Sequence, residues 1–153
     1  MRTVAVIGSG TMGSGIAQVC AQTGWETRLY DAFPESLDKG MNSIDEFWKS
    51  GIRRGKNTEE QVKDWSEKLV PCENLEDALS GVDLVIEAVP EKIELKRSIF
   101  QKIEDLAPEN AILATNTSGL RISEIASVVK NPERVVGMHF FNPVPIMLSL
   151  IHI

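Results

Sequence analysis

The stretch that decides the fold is residues 4–13, which read Val-Ala-Val-Ile-Gly-Ser-Gly-Thr-Met-Gly. Its first four residues form an uncharged, apolar run, which is typical of a strand that is buried on both faces. The glycines that follow predict a tight turn, and the chain from Ser14 onward has the composition of a helix. A strand, a glycine turn and a helix in this order predict the first unit of a parallel α/β sheet.

The glycine spacing in this turn is G-x-G-x-x-G, which after a strand and before a helix is typical of loops that bind the pyrophosphate of a dinucleotide. Gly8 would permit the tight turn, Gly10 would let the backbone approach the phosphates, and Gly13 would let helix and strand pack closely. Thr11 and Met12 lie where the free N–H groups of the helix start would face the phosphates. The alternative is a tight turn that binds no ligand.

Asp31 follows the second predicted strand, near the spacing of about 20 residues at which a carboxylate binds the ribose hydroxyls of the adenosine half. A carboxylate in this place repels a 2′-phosphate, and no arginine follows in residues 32–35. The pattern therefore favours NAD over NADP as the cofactor. The alternative is that Asp31 is a simple turn residue.

Short apolar runs alternate with segments of helical period along the whole chain, which predicts a Rossmann-type, doubly wound, mostly parallel sheet in a single domain over residues 1–153. The second crossover is long, with helical pattern at 35–49 and again after Thr58, whose spacing to Gln61 fits a capping box. We therefore expect a helical pair inserted after the second strand. The predicted strands are Val4–Ile7, Glu26–Tyr30, Asp83–Val89, Ala111–Thr115 and Arg134–His139, with a weaker one at Leu69–Glu73.

The composition argues against several classes of function. The 153 residues carry a formal net charge of -6, which argues against a cationic surface for nucleic acid or an anionic membrane. No apolar stretch approaches the roughly 18 residues of a membrane span, and no pattern indicates a metal site. Cys20 and Cys72 are interpreted as reduced thiols rather than a disulfide, which favours a cytoplasmic protein.

Three further segments carry a family resemblance. Residues 86–91 read Ile-Glu-Ala-Val-Pro-Glu, residues 115–118 read Thr-Asn-Thr-Ser, and residues 137–145 read Gly-Met-His-Phe-Phe-Asn-Pro-Val-Pro. Together with the glycine loop, they resemble the NAD-binding domain of the 3-hydroxyacyl-CoA dehydrogenase family, which includes the bacterial 3-hydroxybutyryl-CoA dehydrogenases. The resemblance implies oxidation of a 3-hydroxyacyl-CoA to the 3-oxoacyl-CoA with hydride passing to NAD, or the reverse, in fatty-acid or butanoate metabolism.

The resemblance also implies roles for individual residues. His139 would be the general base, Ser118 would bind the reacting oxygen, and Glu91, Lys96 and Asn116 would line the cofactor site. Considered without the family, each of these roles has an ordinary alternative. A lone histidine beside phenylalanines is more often a packing residue, Ser118 could cap the next helix, and Asn116 could hold a turn.

A basic run occupies the turn of the inserted helical pair. Lys49, Arg53, Arg54 and Lys56 have no acidic residue among them, although the chain as a whole is acidic. The family resemblance favours a site for the phosphates of coenzyme A, to which Ser43 could contribute. The alternative is a solvated helix end whose cations compensate the helix dipole.

The sequence departs from the family in two respects. Ile151 stands where the resemblance implies a glutamate that pairs with the catalytic histidine, and the family's helical second domain is absent from the chain. We therefore expect the chain to bind NAD, to be poorly active alone, and to self-associate through surface which that domain would cover. The alternatives are a non-catalytic nucleotide-binding or interaction module, and a dehydrogenase of 3-hydroxy acids that lack coenzyme A.

Overall fold

The computed structural model describes residues 2–146 and the backbone of residues 151–152, and within these a seven-stranded sheet forms the centre of the molecule. The strand order is β3-β2-β1-β4-β5-β6-β7, and all neighbours are parallel except β6 and β7. The strands are β1 Thr3–Ile7, β2 Glu26–Tyr30, β3 Leu69–Cys72, β4 Leu84–Glu87, β5 Ile112–Thr115, β6 Val135–His139 and β7 Ile151–His152.

Helices cover both faces of this sheet, as a doubly wound fold requires. The helices are α1 Thr11–Gln22, α2 Pro34–Arg53, α3 Glu59–Lys68, α4 Leu75–Leu79, α5 Ile93–Leu106 and α6 Ile122–Ala126. The alternation of β1 shows the two layers, because Val4 and Val6 pack with α1 and α2 whereas Ala5 and Ile7 pack with α4, α5 and α6. The predicted Rossmann-type fold is therefore confirmed.

The sheet register places the carboxyl ends of the strands in one row. Ile7 lies beside Tyr30 of β2 and beside Glu87 of β4, while Glu87 lies beside Thr115 and Thr115 beside Gly137. The chain leaves β1 toward β2 on one side and later returns to β4 on the other, so β1 and β4 flank a topological switch point. Open α/β sheets bind their ligands in the crevice at such a point.

The inserted helical pair consists of α2 and α3, as the sequence predicts. Thr58 and Gln61 form the predicted capping box, with Gln61 N donating to Thr58 Oγ1 over 3.1 Å and Thr58 N donating to Gln61 Oε1 over 2.9 Å. Gly51 permits the close approach of the connecting turn, since a Cβ there would lie 2.1 Å from Asn57 Nδ2. The basic run therefore lies at the carboxyl end of α2 and in this turn.

Two local features differ from the sequence-based expectation. The strand predicted at Asp83–Val89 ends at Glu87, because the Glu87 carboxylate accepts a hydrogen bond from Val89 N and turns the chain out of the sheet. Helix α4 has no long apolar periodicity, and it begins where Asn74 Oδ1 accepts from Asp77 N over 2.8 Å.

Cys20 and Cys72 are both buried, and both are free. Among the described residues, no helix is long and apolar enough to cross a bilayer.

Candidate functional site

A cavity of about 760 Å³ opens above the carboxyl ends of the strands, at the switch point. Its walls come from the ends of five strands, represented by Gly10, Asp31, Val89, Ser118 and His139. The sequence-predicted residues Gly8, Thr11, Met12, Glu91 and Asn116 also line it. Loops from separate parts of the sequence thus meet in one crevice of the size that a small cofactor needs.

The glycine loop has the geometry that a pyrophosphate requires. Gly8 has a φ of +101° and lies against Ala88, and a Cβ on Gly13 would lie 1.7 Å from the Gly8 carbonyl oxygen. A Cβ on Gly10, in contrast, would meet no atom within 4 Å, so the space above this residue is open. Helix α1 starts at Thr11 without a side-chain cap, which leaves its first N–H groups available to an anion.

Asp31 is held in place at the end of β2. Its Oδ2 accepts from Ser9 N and from Ser9 Oγ, each over 2.8 Å, and its Oδ1 accepts from Phe33 N over 2.9 Å. The carboxylate is therefore fixed beside the glycine loop, where it can accept hydrogen bonds from ribose hydroxyls. The open space at Gly10, the uncapped helix start and this carboxylate together fit a dinucleotide.

Ser118 and His139 meet at the opposite wall of the cavity. Ser118 Oγ lies 2.9 Å from His139 Nε2, although 21 residues separate them in sequence. The contact exists because β5 and β6 are parallel neighbours, so the loop after β5 and the last residue of β6 lie side by side. Asn116 strengthens this alignment, since its Oδ1 accepts from Phe140 N over 2.9 Å.

Glu91 and Lys96 differ in their relation to the cavity. Glu91 lines it and accepts hydrogen bonds from the Thr117 hydroxyl and from Ser118 N, so it holds the serine loop. Lys96 does not line the cavity: its side chain is 1% exposed, and its Nζ lies 2.6 Å from Glu87 Oε1. The expectation that Lys96 lines the cofactor site therefore differs from its placement, which is beneath the strand ends.

The residues expected to bind coenzyme A do not line the cavity. Ser43, Arg53, Arg54 and Lys56 are all exposed, and Arg53 lies about 25 Å along α2 from Ser36, which lines the cavity.

Acidic residues from earlier turns of α2 compensate part of the positive charge in this region. A hydrogen bond from Lys49 to Asp45 raises the pKa of Lys49, and Arg53 Nη2 lies 4.0 Å from Glu46.

Several lining residues were missed by sequence reasoning. Ser98 and Lys102 project from α5 into the cavity wall, and Phe33 and Asn142 line it as well. The signal for the α5 residues was helical spacing, because positions 95, 98, 99 and 102 share one face. Asn142 belongs to the segment at 137–145 that carries the resemblance, and the family pattern could have pointed to it.

The fold and this cavity define a Rossmann-type dinucleotide-binding domain. The sequence profile described as "3-hydroxyacyl-CoA dehydrogenase, NAD binding domain" matches residues 3–151, and the chain belongs to this family. The assignments of family and of NAD as the cofactor, both made from the sequence, are thereby confirmed.

Individual relatives agree with this assignment. The chain is 45% identical over 147 residues to 3-hydroxyadipyl-CoA dehydrogenase of Escherichia coli K12, covering 96% of the chain and 31% of that protein. It is 41% identical to a probable 3-hydroxybutyryl-CoA dehydrogenase of Bacillus subtilis, covering 96% of the chain and 51% of that protein.

Solved structures show the same relationship. A crystal structure of 3-hydroxybutyryl-CoA dehydrogenase from E. coli K12 superposes with a TM-score of 0.93 at 44% identity, over 97% of the chain and 31% of that structure. The chain therefore spans between about a third and a half of the length of the three relatives named here.

Proposed function

We propose that this domain is the cofactor-binding part of an NAD-dependent 3-hydroxyacyl-CoA dehydrogenase, which interconverts a 3-hydroxyacyl-CoA and the 3-oxoacyl-CoA. The observation that carries the proposal is the 2.9 Å contact between Ser118 Oγ and His139 Nε2 in the wall of the cavity that the glycine loop opens. The relatives named above act on acyl-CoA substrates according to their names, which supports the same substrate class. Reactions of fatty-acid or butanoate metabolism fit this chemistry.

The residues of the chain divide the binding of the cofactor between them. The N–H groups at the start of α1 would bind the pyrophosphate above Gly10, and Asp31 would accept from the adenosine ribose. When bound, NAD supplies the hydride acceptor for the substrate carbon. Glu91 would act beside it by keeping the Ser118 loop in place through the Ser118 N–H.

Proton transfer is assigned to the Ser118–His139 pair. A neutral imidazole is a suitable base near neutral pH, and Nε2 is the ring nitrogen that faces the serine hydroxyl. A substrate hydroxyl placed beside both groups would give its proton to Nε2, while the Ser118 hydroxyl donates a hydrogen bond to the same oxygen. The electron pair of the broken O–H bond would then form the second bond between carbon and oxygen, while the hydrogen on that carbon leaves as hydride with the C–H electron pair to the acceptor that bound NAD supplies, so a ketone would form.

The exposed residues Ser43, Arg53, Arg54 and Lys56 are proposed to bind the phosphates of coenzyme A. Three cations in one short segment attract a phosphate group, and the long pantetheine arm would separate these phosphates from the reacting carbon. The free cysteines favour a cytoplasmic location.

The test is the loss of NADH absorbance on adding acetoacetyl-CoA at high protein concentration, with NADH binding measured in parallel. Ser118→Ala and His139→Ala should each lower turnover, by about 10²- to 10⁴-fold for the general base, while leaving the NADH dissociation constant nearly unchanged. Ser127→Ala is the matched control, because this hydroxyl bonds to Glu124 O within α6, outside the cavity. Turnover that survives His139→Ala would refute the assignment.

A second candidate is a domain that binds NAD without performing the reaction. The observation that favours it is the register of β7, which places Ile151 directly opposite His139, at the position where the family resemblance implies a glutamate. Without a carboxylate there, nothing at this position orients the imidazole or stabilises its protonated form, so the histidine is a less effective base. A preparation that binds NADH and shows no turnover of acetoacetyl-CoA would support this second candidate.

A further inference from the structure

A buried charged pair lies beneath the cavity and takes no part in the chemistry described above. Glu87 and Lys96 are 0% and 1% exposed, and Lys96 Nζ lies 2.6 Å from Glu87 Oε1. Such a pair is weak evidence for stability, because the cost of removing two charges from water often equals or exceeds their attraction. Its position at the carboxyl end of the central strand β4 therefore calls for another explanation.

The two oxygens of the Glu87 carboxylate hold two different strand ends. Oε1 accepts from Val89 N over 2.7 Å as well as from Lys96, and Lys96 donates in addition to Val89 O over 3.2 Å. Oε2 accepts from the hydroxyl of Thr115, the last residue of β5, over 2.6 Å. Two of these four contacts join Glu87 to Lys96 and to Thr115, and the other two join Glu87 and Lys96 to the backbone of Val89. We define Glu87, Lys96 and Thr115 as the brace.

The brace reaches the cavity through residues close to it in the chain. None of its three members lines the cavity, whereas Val89 and Asn116 do. Asn116 follows Thr115 directly, its N–H donates to Glu87 O over 2.8 Å, and its side chain accepts from Phe140 N, adjacent to His139. The contacts thus continue from the buried carboxylate to the Ser118–His139 wall.

We propose that the brace is a positioning element for the nicotinamide side of the cavity, which is the wall formed by Ser118 and His139. It acts by fixing Val89 and Asn116. This inference rests on the proposed function, since it assumes that a dinucleotide occupies the cavity. It also gives Lys96 a role that differs from the one expected from the sequence: Lys96 acts through the Glu87 carboxylate rather than by touching the cofactor. Among the described residues, no side-chain hydrogen bond joins the brace to the adenosine side, which is formed by Asp31 and the glycine loop, although Gly8 packs against the backbone of Ala88 and Val89.

This difference between the two sides of the cavity allows a test that separates positioning from general stability. ADP-ribose carries the adenosine half and the pyrophosphate of the cofactor but no nicotinamide, so it needs only the side that the brace does not set. We expect Thr115→Val to raise the dissociation constant of NADH about tenfold while that of ADP-ribose changes less than about twofold. Thr115→Ser restores the hydroxyl and should bind NADH like the wild-type chain.

A double variant, Glu87→Leu with Lys96→Met, removes both charges together. Replacing a buried ion pair by apolar side chains is often neutral for stability, so the unfolding midpoint should stay close to that of the wild type while NADH binding weakens selectively. Thr27→Val is the matched control, because Thr27 is equally buried but its hydroxyl donates to Trp25 O, in the residue just before its own strand β2. If the double variant does not fold, the Thr115 pair still decides the question.

The outcomes are distinct. A wild-type chain that binds neither ADP-ribose nor NADH would refute the proposed function. A wild-type chain that binds both, with Thr115→Val binding NADH equally well or losing both ligands to the same extent, would overturn the positioning role alone.

Discussion

Asp31→Asn provides a direct test of the nucleotide half of the site. Asp31 offers two accepting oxygens, and three donors use them: Ser9 N and Ser9 Oγ on Oδ2, and Phe33 N on Oδ1. Asparagine has nearly the same shape but replaces one of these oxygens with an NH₂ group that cannot accept a hydrogen bond. Either the glycine loop or the turn at Phe33 therefore loses its acceptor, and the ribose hydroxyls meet a neutral amide in place of a carboxylate.

The size of the effect follows from the hydrogen bonds that are lost. A hydrogen bond to a charged group contributes about 1.5–3 kcal/mol, so NADH should bind roughly 10- to 150-fold more weakly to the variant. The sign reverses for NADPH, because its 2′-phosphate no longer faces a negative charge. Two charges about 4 Å apart in water-like surroundings repel by about 1 kcal/mol, so NADPH should bind about fivefold more tightly than to the wild type.

The assay is a fluorescence titration of each chain with NADH and with NADPH at constant ionic strength. Asp38→Asn is the matched control, since it makes the same change of charge at an exposed position of α2 that does not line the cavity. Asp38→Asn should leave both dissociation constants unchanged. An NADH dissociation constant that is the same in Asp31→Asn as in the wild type would refute the ribose assignment.

Four further predictions concern other parts of the chain. Gly13→Ala should lower the free energy of unfolding, measured by urea titration, by about 3 kcal/mol, because its Cβ would lie 1.7 Å from the Gly8 carbonyl oxygen. Gly10→Ala should keep the wild-type stability and lose affinity for NADH, because the space above Gly10 is open. The reverse pattern would contradict the loop geometry. Replacing Arg53, Arg54 and Lys56 together by alanine should weaken binding of acetyl-CoA about tenfold at low salt, while Lys49→Ala, whose charge is already paired with Asp45, should have little effect in the same titration. Ile151→Glu puts a glutamate at the β7 position that pairs with His139 in the register, and it should raise any turnover of acetoacetyl-CoA. Unchanged turnover would show that this position does not limit the chain. Burial raises the pKa of Cys20 to about 12, so the contribution of the buried thiol to stability is fully present below about pH 9 and is lost as the pH rises toward 12. The native chain should therefore resist alkylation of Cys20 by iodoacetamide at pH 8, and rapid alkylation would show that the thiol is accessible.

The features that could be predicted from the sequence are those set by local pattern. The glycine loop, the Thr58–Gln61 capping box and the alternation of apolar runs each depend on neighbours within a few residues, and the structure contains all three. The proximity of Ser118 and His139 could also be predicted, because Ser118 follows one predicted parallel strand and His139 ends the next. Parallel strands bring their carboxyl ends to one edge of the sheet whatever the length of the crossover between them.

The features that could not be predicted depend on how helices pack against the sheet. Lys96 and Glu87 are nine residues apart, and a lysine on the first turns of a helix is normally solvated. Only the packing of α5 against β4 buries this side chain and brings its Nζ to the carboxylate. The same packing turns Lys102 into the cavity wall, where no local pattern indicates a charged residue.

Two separate sets of hydrogen bonds hold the two sides of the cavity, and the sides touch where Gly8 packs against Ala88 and Val89. Asp31 and the glycine loop hold each other through the hydrogen bonds to Ser9, while Ser118, Asn116 and His139 are held from β4, β5 and β6. Substitutions within one side should therefore be strongly non-additive, because they share hydrogen-bond partners, whereas substitutions on opposite sides should add. The double variant Asp31→Asn with Thr115→Val should accordingly lose NADH affinity by the product of the two single factors. A smaller loss than that product would mean that the two walls of the cavity move together.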